Sequence, residues 1–169
     1  MPKPVEGTFP TYFATYIDKV VEDNISDAFD NQQAVVNTFF DAIPKEKTNE
    51  PYAPGKWTLK ELLQHIIDAE RIFAYRSLCI ARKEMNSLPG FDENEYVASS
   101  QANRRSWKSL VEEMKLVRKS TEMLFDSFNE EMITQSGLSN NNRVTVNALG
   151  FITVGHLMHH IGVIKERYL

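Results

Sequence analysis

The sequence of 169 residues is poor in several features that would mark a particular class of protein. Its single cysteine, Cys79, cannot form an internal disulfide, which excludes a small secreted scaffold held together by disulfides. No apolar stretch approaches the roughly 18 residues that span a bilayer, and the N-terminal segment lacks the apolar core of a signal peptide. We therefore expect a cytoplasmic protein that does not associate with a membrane.

The chain also lacks an excess of basic residues. It contains 19 lysine and arginine residues against 23 aspartate and glutamate residues, and no basic face that would bind nucleic acid is evident. With 42% hydrophobic and 25% charged residues, the composition is that of an ordinary globular protein. The length favours one domain over residues 1–169, in which we expect an N-terminal extension (1–25) followed by a helical body (26–169).

Helix-breaking residues are few, and apolar residues recur at helical spacing along most of the chain. Only seven glycines and seven prolines occur, and the last proline is Pro89. Four long helices are predicted, over about 26–44, 58 to 83 or 85, 101–128 and 145–168. The segments between them are polar or contain Pro and Gly, and are predicted to be loops. No alternating run typical of a strand is present. We therefore predict an all-α fold, a four-helix bundle with an extra N-terminal helical segment packed outside it.

Two of the predicted helices have clear start signals. Thr58 and Glu61 form a capping box, in which each side chain can satisfy an unpaired backbone N–H group of the other residue. Thr145 is predicted to cap the last helix, with Val144 and Leu149 making a hydrophobic contact across the cap. These signals predict where the second and fourth long helices begin.

All four histidines lie in the second and fourth predicted helices. His65 interrupts an inward apolar stripe, where a lone histidine is more commonly a core residue with its own hydrogen bond. His156 and His160 are four residues apart on one face, the spacing at which two imidazoles can bind one ion. His159 projects to the opposite side, where we expect it to be exposed or at a subunit contact.

The alternative interpretation of His156, His159 and His160 is that they are simply three polar residues on an amphipathic helix. In a bundle, however, side chains from facing helices converge in the core, which is how metal sites of bundles are built. We therefore predict that His65, His156 and His160 form a three-histidine metal site.

Three segments resemble the DinB superfamily of four-helix-bundle metalloproteins. They are PGKWTLKELLQHIIDAERIFAYR at 54–76, LPGFDENEYV at 88–97 and GHLMHHIGVIKERY at 155–168. In that family the metal is held by a histidine of the second helix and the outer two histidines of an HxxxH motif, which correspond to His65, His156 and His160. The resemblance implies that the protein binds a divalent ion, with zinc or nickel preferred and manganese or iron as alternatives. It also implies that the protein is a homodimer. Family members include thiol S-transferases and a mycothiol-dependent isomerase.

Three neutral imidazoles leave coordination positions of an ion open, which is typical of catalytic metal sites. An ion held in this way lowers the pKa of bound water to about 7 or ionises a bound thiol. We predict a metal-dependent transferase or hydrolase that acts on a small-molecule substrate, with a low-molecular-weight thiol as partner. The alternative is a non-catalytic metal- or ligand-binding protein of the stress or sensor type, and the sequence does not separate these two. A metal that only stiffens the bundle is disfavoured, because structural zinc usually has four protein ligands.

Two charged residues near the motifs have two interpretations each. Asp68 could accept a hydrogen bond from the His65 imidazole, or it could be a solvated acid on the flank of the helix. Arg76 could meet a substrate carboxylate, or it could pair with an acid such as Glu70 or Glu84.

The remaining polar candidates are assigned no catalytic role. Cys79 lies about four helical turns beyond His65, too far to reach an ion there, and is predicted to be a structural residue. Three acids and a tyrosine follow the Pro-Gly turn, and they could border the pocket or lie on the surface; they are Asp92, Glu93, Glu95 and Tyr96.

Overall fold

The computed structural model describes residues 2–169, which form seven α-helices and one small antiparallel sheet. The helices are α1 (Ala14–Ile17), α2 (Ile25–Thr38), α3 (Leu59–Ala81), α4 (Glu93–Ser100), α5 (Trp107–Asp126), α6 (Glu130–Thr134) and α7 (Val146–Arg167), and the strands are β1 (Ser136–Ser139) and β2 (Asn142–Thr145). Helix α3 packs against both α5 and α7, and α2 packs against the same two helices. These contacts close a four-helix bundle, which confirms the predicted all-α fold.

Helices α3 and α7 begin at the predicted residues because their caps form as expected. The Thr58 hydroxyl accepts a hydrogen bond from the Glu61 N–H at 3.2 Å, and the Glu61 carboxylate accepts one from the Thr58 N–H at 2.8 Å. The Thr145 hydroxyl accepts from the N–H of Ala148 at 3.2 Å. Both predicted starts are confirmed.

The third long helix begins later than predicted, at Trp107 rather than near 101. Gln101 has a left-handed backbone with a φ of 53°, which a right-handed helix cannot contain. The helix begins instead after Ser106, whose hydroxyl accepts a hydrogen bond from the N–H of Ser109.

The predicted loop over 86–98 contains the short helix α4. The carboxylate of Asp92 accepts hydrogen bonds from the N–H groups of Asn94 and Glu95 and so starts this helix. Only Val97 of the helix is buried, so the segment lacks the apolar stripe by which the longer helices were predicted.

A third difference is the hairpin of β1 and β2, in a segment predicted to be a polar turn. Ser139 pairs with Asn142, and the two residues between them, Asn140 and Asn141, have positive φ angles of 49° and 59°. Two asparagines in this conformation form the tight turn that suits a two-residue hairpin. Strands of four residues are too short to show a clear alternating pattern in the sequence.

The buried apolar residues form two clusters that meet near the middle of α7. The α7 residues of one cluster lie between Val146 and Val154, and those of the other lie between Leu157 and Ile164. His156 lies at the boundary between them. Within residues 2–169, no helix combines the length and the apolar character that crossing a bilayer requires.

The N-terminal segment packs against α7 beside His156, with its backbone in contact with Gly155. A Cβ atom added at Gly155 would lie 2.0 Å from the Tyr16 carbonyl oxygen, so this contact requires glycine. The prediction of an extra N-terminal helical segment is confirmed by the 3₁₀ turn at Thr11–Phe13 and by α1.

The variant Gly155→Ala is expected to force the N-terminal segment away from α7. Because the obstructing atoms belong to the Tyr16 backbone, the free energy of unfolding should fall by about 1–3 kcal/mol, as for other overpacked sites. Gly162→Ala, on an open surface of the same helix, is the matched control and should raise that free energy by about 0.5–1 kcal/mol. Urea denaturation measures both changes, and equal stabilisation by the two alanines would contradict the close contact.

Candidate metal centre

Helices α3 and α7 bring three histidines together in the core of the bundle. The Nε2 atom of His156 lies 3.1 Å from Nε2 of His65 and 3.1 Å from Nε2 of His160. All three residues are buried, and their potential ligand atoms lie within 4.8 Å of one another. The structure thus groups the three histidines that the sequence selected.

The geometry of the three nitrogens fits one divalent ion. Nitrogens bound at about 2.0–2.1 Å to a common ion lie about 2.9–3.4 Å apart, which includes the observed contacts. Hydrogen bonding explains these contacts less well, because His156 Nε2 has only one proton or one lone pair to offer two neighbours. Three lone pairs directed at one cation satisfy all three rings.

The electrostatic environment keeps these imidazoles neutral near pH 7. Burial lowers the pKa of His65 to about 4, while the Glu93 carboxylate acts in the opposite direction. Burial also holds the pKa values of His156 and His160 well below the usual value, and the charge of neighbouring imidazoles lowers them further. Neutral imidazoles present free lone pairs, which is the protonation state that metal binding requires.

A cavity of about 380 Å³ opens beside the three histidines. Its walls are largely aromatic, and the aromatic lining residues are Tyr12, Phe13, Tyr16, Trp57, Phe73 and Phe91. Tyr16 and Phe73 contact the His156 ring edge to face, with centroids 5.2 and 5.6 Å away, and Trp57 lies 5.0 Å from His65. The three wall residues contributed by the N-terminal segment were not identified from the sequence, because no local pattern indicates which distant helix they cover.

His159 lies outside the group of three. Its ring is half-buried, 5.3 Å from the Tyr16 ring and 5.0 Å from the His160 ring. Helical phase places it away from the cavity, as expected, but the N-terminal segment covers it instead of leaving it exposed.

Asp68 does not support His65. Its carboxylate accepts a hydrogen bond from Gln64 Nε2 at 2.9 Å, and it lines a different groove, together with Arg71 and Arg105. Asp68 is therefore an acid on the flank of the helix, which is the second of its two interpretations.

The segment after the Pro-Gly turn contributes two of its residues to the cavity, Phe91 and Glu93. Asp92 serves as the cap of α4, and neither Glu95 nor Tyr96 lines the cavity. Cys79 also lies outside the cavity lining.

Arg76 lines the cavity and is not paired with either acid considered from the sequence. Glu70 binds Arg118 through two hydrogen bonds of 2.8 and 2.9 Å, and Glu84 accepts hydrogen bonds from Asn86. Arg76 instead donates to the Pro89 carbonyl oxygen at 2.7 Å.

These features define a four-helix-bundle protein with a buried three-histidine cluster at an aromatic cavity. The profile of the DinB superfamily matches residues 28–164, and the chain belongs to that superfamily. A comparison with curated proteins finds no match.

Solved structures with the same fold include YfiT and the mycothiol-dependent maleylpyruvate isomerase. YfiT from Bacillus subtilis, described as a probable metal-dependent hydrolase with an unusual four-helix bundle topology, superimposes with a TM-score of 0.73 and 15% identity over 97% of this chain and 90% of YfiT. The mycothiol-dependent maleylpyruvate isomerase superimposes with a TM-score of 0.68 and 10% identity, over 82% of this chain and 58% of the isomerase. At these identities the similarity shows the fold alone.

Proposed function

We propose that this protein is a metal-dependent enzyme, a transferase or hydrolase, in which His65, His156 and His160 hold a divalent ion. The observation that carries the proposal is the convergence of three buried, neutral imidazoles beside an open cavity. A structural zinc site usually has four protein ligands, whereas the described residues supply three here, all next to space for a ligand. A cavity of about 380 Å³ is within the usual range for small-molecule sites.

The chain's own residues would hold the ligands in place and limit the access of bulk water. A divalent ion bound there would lower the pKa of water or of a thiol and so supply a nucleophile near neutral pH. The rings of Trp57, Tyr16 and Phe73 contact the imidazoles, so they would limit imidazole rotation and reduce the access of bulk water. Burial raises the pKa of Tyr16, with Glu93 as a second cause, so its phenol stays protonated and can donate a hydrogen bond.

We propose a low-molecular-weight thiol as the partner substrate. Cys79, the chain's single cysteine, does not line the cavity, so a sulfur nucleophile would come from a bound molecule. The mycothiol dependence of the structurally similar isomerase supports this choice. Imidazole ligands suit zinc, nickel and iron, and we propose zinc or nickel, with iron or manganese as alternatives. From the family resemblance we also propose a homodimer, and from the chain length one functional domain over 1–169.

Removal of the metal is expected to abolish activity without unfolding the bundle. Two apolar clusters stabilise the fold independently of the site, so chelation should cost only about 3–4 kcal/mol at metal concentrations of 100–1,000 times Kd. The measurement compares zinc-loaded and chelated protein by far-ultraviolet circular dichroism and by conjugation of low-molecular-weight thiols to an electrophile. Restoring zinc should restore the conjugation rate.

Each contrary outcome has a distinct meaning. Unfolding on chelation would indicate a structural metal. Activity that survives chelation would remove the ion from the reaction, and metal binding without conjugating or hydrolytic activity would favour a sensor or storage protein.

A further inference from the structure

Arg76 is a buried cation that has no acidic partner among residues 2–169. Its exposed fraction is 5%, and no carboxylate of the described residues forms an ion pair with it. The other buried arginine, Arg118, is held by both carboxylate oxygens of Glu70. The contrast matters because a charge removed from water is unfavourable unless an opposite charge compensates it.

Most of the hydrogen-bonding capacity of Arg76 is unused. A guanidinium group has five N–H donors, and the described residues accept one bond, at the Pro89 carbonyl oxygen. One face of the group lies over the Phe91 ring at 5.9 Å from the centroid. The remaining donors belong to a side chain that lines the cavity, so a ligand in the cavity can accept from them.

Arg76 lies on the same face of α3 as His65, and both line one cavity. Eleven residues separate them, which corresponds to about 16 Å along a helix axis. The cavity of about 380 Å³ extends between the two side chains. One small molecule can therefore contact both.

The charge around Arg76 favours an anion with a single negative charge at this end of the cavity. Arg76 is the only lysine or arginine among the described residues that line the cavity, and Glu93 adds one negative charge to the lining. A carboxylate matches one guanidinium in charge and in its planar, two-oxygen geometry, whereas a phosphate monoester carries close to two charges. The aromatic walls suit an apolar body.

We propose that Arg76 binds the carboxylate of a small substrate with an apolar or aromatic body, whose other end reaches the three histidines. The proposal rests on the proposed function in one respect, that this cavity is the substrate site. It makes Arg76 the residue that selects carboxylates over their neutral analogues.

The test compares two probes of equal shape, 3-phenylpropionate and 3-phenylpropionamide, by calorimetric titration of metal-free protein. Without metal, the carboxylate cannot gain affinity by coordination. Wild-type protein should bind the carboxylate at least about 10-fold more tightly than the amide, the size expected for a charge-assisted hydrogen bond. Arg76→Gln should bring the two affinities together, and Arg76→Lys should retain part of the difference.

Arg71→Gln is the matched control, because Arg71 lies on the same helix but pairs with Glu113 outside the cavity. It should leave the preference for the carboxylate unchanged. Equal affinity of wild-type protein for the two probes would overturn the proposal, and this arm does not depend on whether the Arg76 variants fold. Tighter binding of phenyl phosphate than of 3-phenylpropionate would show that the anion class is wrong.

Zinc titration of the same proteins separates this proposal from the function it rests on. If the carboxylate preference holds but zinc does not bind, the metal-dependent function fails and the role of Arg76 stands. If zinc binds but the preference is absent, only the role of Arg76 fails.

Discussion

Replacing His156 with alanine is expected to weaken zinc binding by at least about 100-fold, since even groups that only support a ligand contribute 10–100-fold. His156 is the central member of the group, because its Nε2 contacts the Nε2 atoms of both His65 and His160 at 3.1 Å. Its loss would leave two imidazoles on different helices. Competition with a chromophoric chelator measures the affinity.

The neighbouring His159→Ala variant is the control for this result. His159 lies three residues after His156 on the same helix and contacts the same Tyr16 ring, but it is not part of the group. Its replacement should leave zinc affinity unchanged. Loss of the metal in His159→Ala with retention in His156→Ala would contradict the assigned ligand set. Circular dichroism of each variant, together with His156→Gln, shows whether a weaker affinity reflects an unfolded protein.

Glu70→Ala is expected to lower the free energy of unfolding by about 3–5 kcal/mol, because it leaves the Arg118 charge buried without its partner. Both side chains of this pair are only 2% exposed. Arg118 also donates to the side chain of Gln32, which in turn donates to the Val154 carbonyl oxygen at 2.9 Å. The pair therefore joins α5 to α3, and through Gln32 to α2 and α7. Urea denaturation measures the change.

A surface pair on the same helix provides the control. Lys115 of α5 pairs with Asp41, whose side chain is 57% exposed, so Asp41→Ala should change the stability by about 1 kcal/mol or less. The double variant Glu70→Leu/Arg118→Met should lose less stability than Glu70→Ala, since it leaves no buried charge. A stability of Glu70→Ala within 1 kcal/mol of wild type would show that Arg118 finds another partner or water.

The bundle could be predicted because its signals are local. The capping box of Thr58 and Glu61 and the cap at Thr145 each depend on residues three positions apart, and apolar spacing extends the helices from there. The predictions failed for α4, which has eight residues, and for the hairpin, whose strands have four residues each. Elements of this length contain too few repeats to establish a period, and neighbouring contacts decide their conformation.

For the candidate site, the sequence alone selected His65, His156 and His160, because helical phase determines which side chains share a face. Metal binding by them stays a prediction. Only the tertiary structure decided that Tyr16, 140 residues before His156, lies against its ring, and that Arg76 is buried without an acid. Residues far apart in a chain meet according to how all the helices pack, and no local pattern encodes that packing. Whether a buried charge is paired depends on the same contacts, so the unpaired cation in the cavity emerges only with the folded protein.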